Sequence, residues 1–293
     1  MELCLGTAQF GMDYGIAGGI KPSKDEIFKI LDYAASNKIT LIDTASGYGD
    51  AHRILGEYNG GTSHPFGIIT KLPMDSFQQI KSVDYIDRAR YLTENCLQQL
   101  MTPKLMGLLF HNPKDLYNPR AVNALYQLKE EGFTESIGVS VYELKDALFA
   151  LELKLDMVQL PLNIFDRSFD VLIDNLNPSV KIFARSVYLQ GLLLMDPDTI
   201  HDKLPQAEEY IKVFDKLCRS YHYTRREIAL AYLKSKKGVT AGLIGVDNLN
   251  QLKENIEAFS EKVPEDIVSE IAKHFNHIND DITSPLKWNQ GGR

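Results

Sequence analysis

Eight short apolar runs, each followed by a longer segment with helical periodicity, constrain the fold of this 293-residue chain more than any other feature. The runs are apolar throughout, as expected for parallel strands that are buried on both faces of a sheet. The segments between them repeat apolar residues every three or four positions, which is typical of amphipathic helices. Two of these segments open on the spacing of a capping box, Ser23–Glu26 and Thr224–Glu227. The strand-like runs fall at residues 2–6, 39–43, 66–71, 104–111, 136–140, 156–160, 180–184 and 239–245.

This order of elements predicts an α/β fold, a (β/α)8 TIM barrel. We expect one domain over residues 1–293, with a C-terminal tail from about residue 279. A doubly wound sheet is the alternative, but a dinucleotide-binding sheet of that kind carries a glycine-rich first turn. The sequence contains neither G-x-G-x-x-G nor G-x-x-x-x-G-K-[ST].

Composition and charge argue against several classes of partner. The net charge is −7 and the isoelectric point is about 5.6, whereas a nucleic-acid-binding surface is basic. The apolar runs are too short to span a bilayer, and the N-terminus lacks the pattern of a signal peptide. The three cysteines are scattered without the spacing of a metal site, so we expect reduced thiols, no bound metal and a cytoplasmic protein.

Polar residues stand at the ends of the predicted strands, where the active site of such a barrel lies. Asp43 ends the second strand, and Tyr48 follows in the next loop. Lys71 ends the third strand and His111 the fourth. Taken singly, an aspartate at a strand end, a tyrosine or a histidine more often forms a turn or a core contact. A lysine in a buried strand, however, is rarely present without a partner.

Together these four side chains suggest how a carbonyl oxygen is protonated. A tyrosine has an ordinary pKa of about 10, and a cation held beside it stabilises the phenolate and lowers that pKa. Lys71 is the predicted cation, Asp43 its anchor, and His111 a second hydrogen-bond partner of the same oxygen. The sequence offers no obvious nucleophile, so the electron pair that the carbonyl carbon accepts must come from a bound reductant. A nicotinamide hydride is the simplest source.

Several ordered motifs extend this pattern over nearly the whole chain. They are LGTAQFGMDYG (5–15), IDTASGYG (42–49), ITK (69–71), LLFHNP (108–113), IGVS (137–140), VQLPLN (158–163), ARSVYLQGLL (184–193) and LIGVDNLNQLKENI (243–256). In this order they resemble the motifs of the aldo-keto reductase superfamily. The resemblance implies an oxidoreductase that acts on a small-molecule carbonyl compound, with the catalytic tetrad Asp43, Tyr48, Lys71 and His111.

The resemblance also implies a nicotinamide cofactor bound without a Rossmann domain, with NADP as the family default and NAD open. Two positions depart from the family pattern. Val141 stands where an asparagine usually holds the carboxamide, and Arg185 stands where a tyrosine usually stacks on the nicotinamide. Asp247 either caps the helix after the last strand or accepts a hydrogen bond from a ribose hydroxyl, and its charge would repel a 2′-phosphate. The implied cofactor-binding residues are Gly6, Thr7, Asp43, Ser140, Gln159, Arg185, Ser186, Gln190, Gly245, Gln251, Glu254 and Asn255.

The substrate side of the site is predicted from aromatic residues and from a long loop at 190–205 of the kind that forms lids. Family tails often cover the barrel mouth, so Trp288 either covers it or packs on the barrel side. Arg185 indicates a polar or anionic substrate, such as an oxidised sugar or sugar derivative. The predicted substrate residues are Phe10, Tyr14, Tyr188 and Trp288. Two other functions stay open, a cofactor-binding sensor or accessory barrel and a Schiff-base lyase or isomerase that uses Lys71.

Overall fold

Eight parallel strands close into a barrel in the part of the chain that a computed structural model describes, residues 1–61, 66–78, 85–175 and 180–288. Each strand pairs with its sequence neighbours, and β1 pairs with β8 to complete the ring. The strands are β1 (Glu2–Gly6), β2 (Leu41–Asp43), β3 (Gly67–Leu72), β4 (Leu105–Phe110), β5 (Thr134–Ser140), β6 (Met157–Pro161), β7 (Lys181–Arg185) and β8 (Val239–Gly245). The predicted (β/α)8 barrel is confirmed, and each observed strand overlaps its predicted run.

Helices surround the barrel and cover the apolar outer faces of the strands. The described helices are α1 (Ala8–Gly11), α2 (Lys24–Ser36), α3 (Ala51–Gly61), α4 (Tyr85–Leu100), α5 (Pro119–Glu130), α6 (Leu144–Glu152), α7 (Asp170–Asp174), α8 (Glu208–Ser220), α9 (Arg225–Ser235), α10 (Leu249–Ser260), α11 (Glu265–Lys273), α12 (Asp280–Thr283) and α13 (Pro285–Trp288). None of the helices described is long and apolar enough to cross a membrane.

The two predicted capping boxes have different outcomes. Thr224 and Glu227 form the full reciprocal box at the start of α9. Ser23 caps α2 by accepting from the Glu26 backbone N–H, but the Glu26 carboxylate instead accepts from the backbone N–H of Leu249, 2.8 Å away. Glu26 therefore ties the start of α2 to the start of α10, a contact that only the closed barrel brings about.

Side chains fill the barrel interior below its mouth, so the barrel is a packed core and not a pore. This inner cluster consists of Cys4, Leu41, Ile69, Leu109, Met157, Phe183, Ala241 and Leu243. On β5 the inward position is Gly138, where a Cβ atom would lie 2.1 Å from the carbonyl oxygen of Met157. A side chain at position 138 would collide with the neighbouring strand, so the barrel interior has no room for a larger residue there.

The predicted C-terminal tail returns to the mouth of the barrel. Pro285, Leu286 and Trp288 line the cleft described below, and the Trp288 indole donates to the carbonyl of Ile282, 3.1 Å away. Residues 289–293 of the predicted tail lie outside the described residues. Trp288 thus stands over the mouth while its ring also packs against the core.

Candidate active site

A cleft of about 1270 Å³ lies over the carboxyl ends of the barrel strands. Its volume exceeds the roughly 300–1,000 Å³ of pockets for drug-sized ligands, so an extended ligand and a second small molecule fit together. The predicted cofactor residues that line the cleft are Gly6, Thr7, Asp43, Ser140, Gln159, Arg185, Ser186, Gln190, Gly245, Gln251 and Glu254. They come from strand ends, from the segment after β7 and from the helix after β8, which are far apart in the sequence and adjacent around the mouth.

Lys71 and Asp43 form a buried ion pair beneath this cleft. The Lys71 ammonium Nζ lies 2.7 Å from both carboxylate oxygens of Asp43 and donates to the Thr44 carbonyl at 3.0 Å. The side chains of Lys71 and Asp43 are only 1% and 4% exposed. Gln159 also donates from Nε2 to Asp43 Oδ1, 2.7 Å away. Burial by itself lowers the pKa of Lys71, but Asp43 and then Tyr48 outweigh that effect, so the pKa lies above its ordinary value.

Tyr48 lies against this ion pair, with its ring centroid 5.2 Å from the Lys71 ammonium. The sequence predicted that Lys71 lowers the pKa of Tyr48, and the net direction is the opposite. Burial raises the pKa of the phenol above its ordinary value, and Lys71 offsets only part of that rise. The physical reason is that a phenolate removed from water loses more solvation than one ammonium restores. Tyr48 is therefore a protonated phenol at neutral pH, poised to donate.

His111 stands across from Tyr48, with the two ring centroids 6.1 Å apart and their planes perpendicular. Burial, followed by the nearby charges of Lys71 and Arg185, lowers the pKa of His111 to about 4. The ring is neutral at physiological pH and has one N–H to donate. The four residues predicted to form the tetrad thus meet at one end of the cleft.

A second histidine, His52, is buried behind the lysine strand. It is 2% exposed, and its Nε2 lies 2.9 Å from the Thr70 hydroxyl. Burial, and then the charge of Lys71, lowers the pKa of His52 to about 4. Sequence analysis did not single out His52, because a histidine in a helix gives no signal of what covers it.

The buried neutral state of His52 predicts an acid-sensitive fold. The unfolded chain binds a proton at His52 with a pKa of about 6.5, whereas the folded chain resists it until about pH 4. The stability that comes from keeping His52 neutral is therefore fully present above about pH 6.5, and it is lost as the pH falls towards 4. Between about pH 7 and pH 4, the free energy of unfolding should fall by about 3 kcal/mol more in the wild type than in His52→Gln. Urea unfolding across this range measures the difference.

The exposed His277 supplies the control for this experiment. His277→Gln removes a histidine that has no buried surroundings to lose, and it is expected to follow the wild-type pH profile. Superimposable wild-type and His52→Gln profiles would show that the folded protein does not hold His52 neutral.

The nicotinamide end predicted from the sequence is built from the ends of β5, β6 and β7. Ser140 and Gln159 line the cleft there, and the Val141 backbone N–H donates to the Gln159 carbonyl at 2.8 Å. Arg185 donates from Nη2 to the Val141 carbonyl at 2.9 Å. The two positions that depart from the family pattern, Val141 and Arg185, are therefore in direct contact.

The adenosine end predicted from the sequence contains a cation that sequence analysis missed. Arg226 of α9 donates to the Asn255 side chain and to the Glu254 carboxylate, at 2.6 Å each. Tyr188 donates to the same Asn255 oxygen at 2.7 Å. Asn255 is 1% exposed and lies behind the cleft wall. Arg226 gave no signal in the sequence, because only the packing of α9 against α10 brings it here.

One of the four predicted substrate residues, Phe10, does not line the cleft. Tyr188 contacts Asn255 at the adenosine end, and Phe10 is fully buried in the core and does not line the cleft. Tyr14, Tyr188 and Trp288 do line the cleft. Phe10 sits in the short helix α1, whose buried face turns it away from the mouth.

Asp247 does not cap α10, the helix after the last strand. Asn248 does, by accepting from the Gln251 backbone N–H. Asp247 instead pairs with the Gln251 side chain through its backbone N–H and its Oδ2, at 2.8 and 3.2 Å. Its other oxygen, Oδ1, is buried without a partner among the described residues. Of the two roles considered for Asp247, the structure removes the cap and leaves a carboxylate at the cleft.

A model of the aldo/keto reductase family matches residues 2–276 of this chain. The chain belongs to this family. Aldo-keto reductase str7 of Strobilurus tenacellus is 23% identical over 283 residues, which cover 87% of this chain and 82% of that protein. Members of the family are oxidoreductases that use NAD(P)H, so this chain is an NAD(P)H-dependent aldo-keto reductase.

Solved aldo-keto reductases share its fold. AKR11C1 of Bacillus halodurans, in its holo form, has a TM-score of 0.76 at 20% identity and covers 93% of this chain and 91% of its own. The glycerol dehydrogenase AKR11B4 of Gluconobacter oxydans has a TM-score of 0.70 at 22% identity, with coverages of 94% and 93%. At these identities the similarity establishes a common barrel.

The residues of this aldo-keto reductase fit a nicotinamide dinucleotide. Among the described residues that line the cleft, three carry buried polar atoms without partners, namely His111 Nδ1, Arg185 Nε and Asp247 Oδ1. Leaving such atoms unpaired is costly, and an extended ligand with polar groups at each end would satisfy them.

Schiff-base chemistry at Lys71 would require an ammonium without a carboxylate partner. In this aldo-keto reductase Lys71 is bound to Asp43, and its pKa lies above the ordinary value because Asp43 and Tyr48 outweigh the effect of burial. The neutral amine that attacks a carbonyl is therefore disfavoured, and the condition for this alternative is not met.

Proposed function

We propose that the protein reduces an aldehyde or ketone to an alcohol, with Tyr48 as the proton donor. One observation carries the proposal: a protonated phenol lies beside a buried ammonium and across from a neutral imidazole, at one end of a cleft large enough for a dinucleotide. This combination suits a carbonyl oxygen that gains negative charge. A sensor or accessory role would not need a phenol and an ammonium held in this way.

The side chains have separate roles in the proposed reaction. When bound, a reduced nicotinamide would supply hydride to the carbonyl carbon. Tyr48 donates its phenolic proton to the carbonyl oxygen, and the Lys71 ammonium stabilises the phenolate that is left. Asp43 holds Lys71 in place through two 2.7 Å contacts. His111 donates a hydrogen bond to the same oxygen and orients the substrate.

NADPH is the proposed cofactor, as the family default, and the Arg226 guanidinium at the adenosine end supports it. One observation favours NADH as a second candidate: the unpartnered Asp247 carboxylate oxygen would repel a 2′-phosphate.

The polar groups of Tyr14 and His111 support a polar substrate such as an oxidised sugar derivative. Free, buried cysteines support a cytoplasmic location, since an oxidising compartment favours disulfides.

Titration of the protein with NADPH and NADH, followed by the fluorescence of its single tryptophan, tests cofactor binding. Asp247→Asn is expected to shift the ratio of the two dissociation constants towards NADPH by about fivefold. Removing one nearby negative charge is worth about 1 kcal/mol of repulsion at a partly solvated site. Asp13→Asn, at another carboxylate of the cleft, is the control and is expected to leave the ratio within about twofold. An unchanged ratio in Asp247→Asn would mean that Asp247 does not face the 2′ position, and quenching by neither nucleotide would contradict the proposed function.

A further inference from the structure

Arg185 is a preorganised cation at the carboxyl end of β7. Its guanidinium lies 4.1 Å above the ring of Tyr142, which covers one face. Nη2 donates to the Val141 carbonyl at 2.9 Å, and Nη1 donates to the Ser186 hydroxyl at 3.3 Å. A guanidinium has five N–H donors, so these contacts hold its plane and leave other donors for a ligand.

The charge of Arg185 is not balanced within the cleft. Lys71 is neutralised by Asp43, and His111 is an uncharged imidazole. No carboxylate lies within ion-pair distance of Arg185 among the residues that the structure describes, and Asp166 binds Ser168 instead. The reacting end of the cleft therefore presents a guanidinium without an ion-pair partner, which favours an anionic ligand.

We propose that Arg185 binds a carboxylate on the carbonyl substrate, so that the substrates of this protein are oxo acids. The proposal rests on the proposed function and adds the substrate class to it. A guanidinium matches the planar, bidentate geometry of a carboxylate. Stacking of Arg185 on a nicotinamide ring is the competing role, but it would leave the charge unbalanced and would place two cations face to face after hydride transfer.

Two aldehydes that differ only in charge test this inference, 4-carboxybenzaldehyde and methyl 4-formylbenzoate. At saturating cofactor, the wild type is expected to prefer the acid in kcat/KM. Arg185→Met should reduce that preference by about 10- to 100-fold, because it removes a charge-assisted hydrogen bond. The preference of Arg185→Lys should fall between those of the wild type and Arg185→Met, since lysine keeps the positive charge and loses the two parallel N–H donors of the guanidinium. Lys203→Met removes another cation that lines the cleft and should leave the preference unchanged, since Lys203 lies in the long loop after β7 and not at a strand end.

Binding without turnover provides an independent readout. Trp288 is the only tryptophan of the chain and lines the cleft, so its fluorescence reports occupancy. Benzoate should bind the cofactor-free wild type at least tenfold more tightly than it binds Arg185→Met, while benzamide should not distinguish them. Tighter Arg185-dependent binding of phenyl phosphate than of benzoate would overturn the choice of carboxylate.

The failure of this inference is distinguishable from the failure of the proposed function. If Arg185→Met reduces the ester as the wild type does and keeps the preference for the acid, the inference is overturned and the reductase function stands. Weakened cofactor binding with an unchanged preference would overturn it in favour of stacking. If the wild type reduces neither aldehyde, the proposed function fails for this substrate class, and the benzoate titration still decides whether Arg185 binds an anion.

Discussion

Replacing Tyr48 with phenylalanine is expected to lower kcat for carbonyl reduction about a thousandfold, within the range that a positioned general acid contributes. The substitution removes the phenolic proton and keeps the ring that packs beside Lys71 and His111. Cofactor affinity should therefore stay within about threefold of the wild type. Steady-state rates with 4-nitrobenzaldehyde and a fluorescence titration with NADPH measure the two effects separately.

Tyr14 provides the matched control, because it is a second tyrosine that lines the same cleft. Tyr14→Phe is expected to change kcat less than tenfold. Near-wild-type turnover in Tyr48→Phe would remove Tyr48 as the proton donor. Loss of activity in Tyr14→Phe alone would assign that role to the other phenol.

Replacing Lys71 with methionine is expected to abolish turnover and to cost about 3–5 kcal/mol of stability. The substitution leaves the Asp43 carboxylate buried with Gln159 as its remaining side-chain partner. A buried carboxylate without a cation is strongly destabilising, whereas removing both charges is much less so. The double variant Asp43→Asn/Lys71→Met should therefore be more stable than the sum of the two single changes predicts, by at least about 2 kcal/mol, and still inactive. Urea unfolding and reduction rates of all three variants measure this cycle.

A variant at a second buried ion pair serves as the control that distinguishes a loss of stability from a loss of catalysis. Lys236 lies 2.9 Å from Asp170, the two side chains are 11% and 12% exposed, and neither lines the cleft. Lys236→Met is expected to destabilise the fold and to retain wild-type kcat at a temperature where it stays folded. If Lys71→Met keeps its activity, the ammonium plays no part in the proposed proton transfer.

Much of the candidate site was predictable because a parallel barrel converts order along the chain into position in space. Residues that end successive strands must meet at one rim. Asp43 ends β2, Lys71 is the second-last residue of β3 and His111 directly follows β4, so their convergence required only the strand count. A lysine in an apolar strand also required a partner, and Asp43 on the neighbouring strand was the nearest carboxylate along the ring.

Other features depended on surroundings that no local pattern records. The pKa of Tyr48 rises because the folded protein removes the phenol from water, and the proximity of Lys71 alone suggested a fall. Asn248 caps α10 although Asp247 is equally able to cap a helix, because the backbone conformation at 248 selects the cap. Arg226 reaches Glu254 and Asn255 from another helix.

By itself, the sequence determined the element order, the barrel and the set of polar residues at its rim, because apolar periodicity and strand ends are local properties of the chain. Only the tertiary structure decided which of these groups are charged, which are paired and which are left without a partner. Solvation and pairing depend on every element that packs around a group, and residues such as Arg185 and Arg226 acquire their environment from strands and helices that are distant in the sequence.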